Sequence, residues 1–189
     1  ATAKDFITEM LSRNLRYTDA ALLSLCFDAA SKQDIERIVE LDAVCTAVKL
    51  PMEMRQASKK LGMRLLKIFN KISDNRLLEQ FNKRLIDGET TGNYCIVFAL
   101  IANVMQIQKE AALQGFYYNA AAGFVTNSVK LIPLGQQEGQ EILFSLLPLI
   151  NQLTAATMQP DEGLIGLCCP GFDISSMQHE QLYSRLYMS

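Results

Sequence analysis

Apolar residues recur at helical spacing along most of this chain, and the clearest run lies between positions 111 and 132. Its apolar and small residues fall mostly in adjacent pairs about four positions apart: Ala111, Ala112, Phe116, Tyr117, Ala120, Phe124, Val125, Ser128, Val129 and Ile132. This spacing predicts one long helix that is buried on a broad face. Pro133 then breaks the helix, because it lacks an amide hydrogen and its ring clashes with the preceding turn. Helical spacing resumes from Ile142 to Leu153, so the pattern predicts two long helices that meet at a corner.

Polar side chains are concentrated at this corner: Lys130, Gln136, Gln137 and Gln140. Two interpretations are open. The corner is either the solvated bend of a kinked core helix or a surface that recognises a partner, and the spacing by itself favours the solvated bend.

The remaining pattern predicts an all-α single domain of about seven to eight helices. A helical body covers 1–158 and a tail covers 159–189. The body opens with an apolar helical pattern from Phe6 to Leu15. Later helices are expected to start at four signals: Thr18-Asp19, Ser31 with Asp34, Pro51, and Ser73-Asp74. A loop at 87–93 then precedes a nearly all-apolar core helix from Tyr94 to Met105. Gly62 lies inside a helix, where glycine costs about 1 kcal/mol relative to alanine. A close helix crossing at Gly62 is the expected compensation.

The tail ends in an unusual amphipathic pattern. Ser175 with Gln178 resembles a capping box, and Leu182, Tyr183, Leu186 and Tyr187 line one helical stripe. Left exposed, this stripe would form an apolar patch of the kind that marks an interaction site. The stripe either folds back on the core or docks on another protein, and the pattern does not separate the two.

Composition narrows the class of protein. The chain has 189 residues, 49% of them hydrophobic, and a net charge of −2. The charges are interspersed, which indicates neither nucleic acid nor an anionic membrane as a partner. No apolar run approaches the roughly 20 residues of a spanning helix, and five scattered cysteines form no disulfide framework. These features favour a soluble protein of the cytoplasm. Because the chain has no initiator methionine and starts within a helical pattern, we expect it to begin partway into a longer gene product.

The chain carries no strong signature of catalysis. There is no phosphate-binding glycine loop, and His179 is the only histidine available to a nucleophile–base pair. Cys168 and Cys169 with His179 offer metal-ligand types, but adjacent cysteines rarely chelate one ion and the spacing fits no standard site. We therefore expect no enzyme activity, no cofactor and no structural metal site.

Several segments resemble the family of the urease accessory protein UreF. They are Thr18-Asp19, the segment 51–58 with Gly62 and Arg64, the segment 129–136 (VKLIPLGQ) and the ending 177–189. The resemblance covers essentially the whole chain, and the ending looks like the epsilonproteobacterial branch. Two motifs usual at the start of the family, Pro-Val/Ile-Gly and Gly-Leu-Glu, are missing. The resemblance implies a non-catalytic homodimer that binds the accessory protein UreD or UreH and the GTPase UreG. Nickel is then handled by the complex, and GTP is bound by the partner.

This resemblance assigns tasks to the two surfaces. Lys130, Gln136, Gln137 and Gln140 would face the GTPase. The tail from Asp173 to Ser189 would dock on the UreD/UreH-type partner and be poorly ordered without it, with His179, Leu182, Tyr183, Arg185, Leu186 and Tyr187 in contact. The small residues at 120–123 would either support the homodimer or pack tightly inside the monomer, and taken alone they do not separate the two. The rival class is a small helical ligand-binding or metal-binding protein whose Tyr94 helix lines a pocket.

Overall fold

The computed structural model describes residues 2–183, and this range contains ten α-helices and no β-strand. The helices are α1 (Ala3–Glu9), α2 (Asp19–Ser31), α3 (Ile35–Val48), α4 (Met52–Phe69), α5 (Arg76–Ile86), α6 (Tyr94–Val104), α7 (Lys109–Leu131), α8 (Gln136–Ser145), α9 (Leu147–Thr157) and α10 (Pro170–His179). The all-α prediction is confirmed. The helices outnumber those expected partly because the segment after Pro133 divides into α8 and α9 at Leu146.

Helix α6 is the centre of the core, as its sequence predicts. Seven of its residues are buried: Cys95, Ile96, Val97, Ala99, Leu100, Ile101 and Ala102. The helix packs against α2, α3, α4 and α7, so it meets protein on nearly every side. A helix in this position has no polar face because no face meets water.

The close crossing expected at Gly62 is confirmed. A Cβ atom built on Gly62 would lie 2.0 Å from the carbonyl oxygen of Gly92 and 2.9 Å from the carbonyl carbon of Asn93. Only glycine allows α4 to approach the start of α6 this closely.

A buried carboxylate fixes the same junction from α3. Asp42 accepts hydrogen bonds from Thr90, Thr91, Gly92 and Asn93 at 2.6–3.0 Å, and its donors include three consecutive backbone amides at the start of α6. Burial opposes the charge on Asp42, but these bonds outweigh it and hold the pKa of the carboxyl below its usual value. The side chain of Asp42 therefore holds the end of the loop 87–93 against α3.

Two of the predicted caps are displaced by one to three residues, and a third is in place without a capping hydrogen bond. Thr18 precedes α2 as expected, but its hydroxyl donates to the carbonyl of Asn14 and does not cap the helix. Asp34, rather than Ser31, caps α3 by accepting from the amide of Arg37. Asn75, rather than Ser73-Asp74, caps α5. Short polar residues cluster at each boundary, and the backbone angles decide which of them caps.

No helix among residues 2–183 combines the length and the apolar character needed to cross a membrane.

Candidate functional site

The corner after α7 forms where the sequence predicts it. Helix α7 ends at Leu131, and Ile132 takes an extended conformation (φ −127°, ψ 160°) in front of Pro133. This is the backbone region that a following proline imposes. Helix α8 then starts behind Gly135, whose amide donates to Glu138 Oε2 at 2.7 Å.

Close packing holds α8 against the end of α7. A Cβ atom on Gly139 would lie 2.8 Å from Val129 Cγ2 and 3.2 Å from Val125 Cγ1. Two valines of α7 therefore lie directly under a glycine of α8, and the angle between the helices is fixed by contact.

All four predicted corner residues are exposed on this bend. Lys130 lies in the last turn of α7, and the three glutamines lie in the first half of α8, where Gln137 donates to Glu141 at 3.1 Å. The structure adds two exposed apolar residues to the corner, Leu131 and Ile132. Ile132 was expected on the buried helical face, but it follows the helix end and is 46% exposed, and Leu131 is 54% exposed. The corner is therefore a mixed polar and apolar surface.

The tail begins its helix six residues earlier than the capping-box signature suggests. Helix α10 starts at Pro170, which is accepted in the first turn because that turn leaves its amides unpaired. Ser175 lies inside the helix and donates to the carbonyl of Gly171. Both Pro170 and Gly171 belong to the first turn of this ten-residue helix.

Two residues at the end of α10 contact the start of α4. His179 Nδ1 lies 3.0 Å from Glu53 Oε2, and Glu180 Oε1 accepts from the Glu53 amide at 3.2 Å. The Glu53 amide is one of those that the first turn of α4 leaves without a helical partner, so a carboxylate there also meets the positive end of the helix dipole. His179 and Glu180 therefore contact a helix that is distant in the sequence.

Aromatic rings join the other end of α10 to the body. Phe172 packs beside Phe6 of α1 with ring centroids 6.4 Å apart, and Phe6 meets Phe124 of α7 edge-on at 6.0 Å. Helix α1 thus lies between the tail helix and the helix that leads to the corner.

The apolar stripe of the tail is described only in part. Leu182 is 53% exposed and Tyr183 is fully exposed beyond the end of α10. Arg185, Leu186 and Tyr187, which complete the predicted contact set, lie outside the described residues. The exposed start of the stripe is compatible with docking on a partner.

The small residues of α7 point in different directions. Ala121 is buried, Ala120 and Ala122 are half-buried, and Gly123 is exposed with open space around its Cβ position. Gly115 has the same open surroundings, and Tyr118 is exposed beside it. The outward strip of α7 therefore runs from Gly115 to Gly123.

Among the described residues, one group combines three metal-ligand types in one place: Asp19, Cys45 and Cys95, with donor atoms within 4.8 Å of one another. The ammonium of Lys49 already occupies this group, 2.7 Å from Asp19 Oδ2 and 3.5 Å from Cys45 Sγ. Burial opposes the Lys49 charge, but the charge of Asp19 outweighs burial and raises the Lys49 pKa. The Lys49 ammonium thus supplies the positive charge at the position where a metal ion would bind. Cys168 instead hydrogen-bonds Asp173, which raises the pKa of the Cys168 thiol.

Comparison with known proteins gives one consistent family. A family model described as UreF matches residues 1–147. The urease accessory protein UreF of Actinobacillus pleuropneumoniae serotype 5b (strain L20) is 44% identical over 189 residues, covering 100% of this chain and 83% of that protein. The UreF of Haemophilus influenzae (strain PittGG) is also 44% identical, over an alignment that covers 100% of this chain and 80% of that protein. That of Sporosarcina pasteurii is 31% identical over 186 residues, 98% of this chain and 92% of that protein. The Actinobacillus and Haemophilus relatives do not support the epsilonproteobacterial origin expected from the closing segment.

Proposed function

The chain belongs to the UreF family of urease accessory proteins, and from that membership we propose that it is the adaptor that recruits and regulates the GTPase UreG. It does so together with a UreD/UreH-type protein, in the cytoplasm, so that nickel is inserted into urease. As a member of this family it is an accessory protein and not an enzyme. The observation that carries the proposal is the 44% identity to urease accessory proteins over the whole chain.

In this proposal the chain needs no cofactor of its own, because nickel belongs to the complex and GTP to the partner. Its partners are proteins, not nucleic acid or membrane, which agrees with the interspersed charges and the net charge of −2. The helical body, 1–158, carries the GTPase-facing corner, and the tail, 159–189, carries the second partner surface.

The corner suits a GTPase surface because it is both exposed and rigid. Lys130 offers a positive charge, the three glutamines offer donors and acceptors, and Leu131 and Ile132 add apolar area. When a partner binds a mixed surface of this kind, the apolar residues at its centre lose their contact with water. The charged and polar residues at its rim increase the rate of association and fix its orientation.

The test of the corner is a substitution that leaves the fold intact. Lys130→Ala is expected to weaken binding to the GTPase and to lower urease activation, with an unchanged helical signal. Lys83→Ala, at an exposed position on α5, is the matched control. Normal binding and activation by Lys130→Ala would remove the corner from the interface.

The tail suits the UreD/UreH-type partner because its apolar stripe begins exposed beside a helix that is anchored on α4. A chain truncated after Gln181 keeps α10 and its contacts to Glu53 but loses Leu182, Tyr183, Arg185, Leu186 and Tyr187. We expect this chain to stay folded and to lose co-purification with the partner. Ile86→Ala, an exposed apolar control on α5, should retain it. Full-strength capture of the truncated chain would contradict the assignment.

Self-association through the outward strip of α7 completes the proposal. Small residues allow two helices to approach closely, and Gly123 has room for a side chain in the isolated protomer. Gly123→Glu should therefore shift light scattering from dimer to monomer without lowering the melting temperature, whereas Ala47→Glu, at an exposed site on α3, should leave the dimer intact. A wild-type chain that is monomeric at high micromolar concentration would exclude the dimer.

A further inference from the structure

Two buried thiols on different helices are in contact. Cys45 of α3 and Cys95 of α6 are completely buried, and their sulfur atoms lie 3.4 Å apart. A disulfide bond is about 2.05 Å long, so the two sulfurs, 3.4 Å apart, would have to approach each other by about 1.4 Å to form one.

A third buried cysteine shows that this contact is specific. Cys26 is equally buried, but its thiol lies 3.6 Å from the carbonyl oxygen of Ile96. The structure therefore offers a pair of thiols in contact and, as an internal control, a thiol of the same burial that contacts a carbonyl oxygen.

A positive charge lies next to one sulfur of the pair. The Lys49 ammonium is 3.5 Å from Cys45 Sγ, and Asp19 holds it there at 2.7 Å. The attacking form of a cysteine is the thiolate, and a neighbouring cation favours it. This geometry distinguishes Cys45 as the nucleophile and Cys95 as the resolving thiol.

A narrow cavity approaches this charge from outside. It has a volume of about 20 Å³, and its walls include Thr18, Asp19, Lys49, Cys168 and Asp173. A space of this size holds about one water molecule. The cavity admits a molecule of about this size next to Lys49 and excludes oxidised glutathione, but neither Cys45 nor Cys95 lines it, so a small hydroperoxide needs a local opening beside Lys49 to reach Cys45.

We propose that Cys45 and Cys95 form a modification site that a small hydroperoxide converts reversibly into a disulfide. The Cys45 thiolate attacks one peroxide oxygen, the O–O bond breaks, and the leaving hydroxide takes a proton to become water. The resulting Cys45 sulfenic acid is attacked by the Cys95 sulfur, the S–O bond breaks, and a second water leaves. In sum, two thiols and hydrogen peroxide give one disulfide and two waters, with two electrons passing from sulfur to oxygen.

The experiment treats the full reduced chain with limiting hydrogen peroxide, alkylates the remaining thiols after denaturation, and maps the peptides by mass spectrometry. The expected product is a Cys45–Cys95 cross-link that a dithiol reductant reverses, with Cys26 still alkylated. Oxidised glutathione should react at the partly exposed Cys168 and Cys169 and leave the buried pair reduced. If peroxide oxidises Cys168 and Cys169 while Cys45 and Cys95 are both recovered as thiols, the proposal is overturned.

Two variants test the roles of the neighbours. Lys49→Met should slow formation of the cross-link by roughly tenfold, because the cation that favours the thiolate is gone, and Lys83→Met on α5 should not change it. An unchanged rate in Lys49→Met overturns the role of the ammonium. If Lys49→Met fails to fold, the peptide map of the wild-type chain still decides whether the site exists.

Discussion

His179 and Glu53 are separated by 126 positions in the sequence, yet Nδ1 of the histidine lies 3.0 Å from Oε2 of the glutamate. The pair fastens the end of α10 to the first turn of α4. Both side chains are about one-third exposed, so the contact is accessible to solvent and to a partner. The tail helix is therefore held at its final turn by a contact that can be broken without disturbing the core.

Glu53→Ala should loosen the tail and leave the body intact. Partly exposed side-chain contacts of this kind typically contribute less than about 1 kcal/mol, so the urea midpoint should change little. Limited proteolysis should nevertheless cut the 170–183 segment faster in the variant. Glu110→Ala, which removes an exposed first-turn glutamate of α7, is the control. Equal cleavage rates in wild type and Glu53→Ala would show that the pair does not hold the tail.

Gly62→Ala should destabilise the fold strongly. Its new methyl group would lie 2.0 Å from a backbone oxygen, and overpacking against groups that cannot rotate away costs about 1–3 kcal/mol or more. Gly115→Ala is the matched substitution, since its Cβ position is open and alanine is favoured over glycine in a helix by up to about 1 kcal/mol. Chemical denaturation should therefore move the two midpoints in opposite directions, and similar midpoints would contradict the close crossing.

Asp42→Ala should cost about 3–5 kcal/mol, because it leaves a set of buried donors without their acceptor. Asp34→Ala, which removes only a helix cap, should cost about 1 kcal/mol. Urea unfolding at neutral pH measures both. A loss at Asp42 no larger than that at Asp34 would contradict the pinning of the loop.

Acid provides a second measure of Asp42. Its pKa is lowered in the fold, so its contribution is complete above the unfolded value of about 4 and is lost as pH falls through the folded value. The difference in stability between wild type and Asp42→Ala should therefore shrink as the solution becomes strongly acidic. A difference that is constant with pH would exclude this linkage.

Tyr117→Phe should remove part of the alkaline sensitivity. Burial raises the pKa of Tyr117 to about 12, although its hydroxyl lies 2.7 Å from Thr157 Oγ1. The folded chain thus retains this proton between about pH 10 and 12, where the unfolded chain releases it, and stability falls as pH rises through that window. Unfolding midpoints from pH 8 to 11.5 should fall more steeply for wild type than for Tyr117→Phe. Parallel curves would contradict the linkage.

Features with a local cause could be predicted from the sequence. The break at Pro133 follows from ring geometry, the core position of 94–104 follows from its lack of any polar face, and the close crossing follows from the cost of Gly62 inside a helix. The exposed position of Lys130 and the three glutamines also follows from the break, because a chain that turns at a proline exposes the residues around it.

Features that depend on pairing between distant segments could not be predicted. Nothing in the sequence around Asp42 distinguishes it from the surface carboxylates of the same helix, since its donors follow about fifty positions later. The contact of His179 with Glu53 and that of Cys45 with Cys95 have the same origin. The early start of α10 has a different cause: Pro170 and Gly171 lie in its first turn, which accepts both residues, so the capping-box signature at Ser175 marks a position inside the helix.

The hydrogen bonds between Asp42 and residues 90–93 also determine when parts of the core can form during biosynthesis. When the ribosome has released α3 and α4, the carboxylate of Asp42 has no donors and Gly62 has no neighbour to approach, because both contacts wait for residues 90–93. The segment before that point can form helices but cannot bury this carboxylate at its final partners. The emergence of the short loop before α6 is therefore the step at which Asp42 can first meet its donors, and the core can close only after α6 has followed; a translational pause just before that loop would prolong the exposure of unfolded apolar surface.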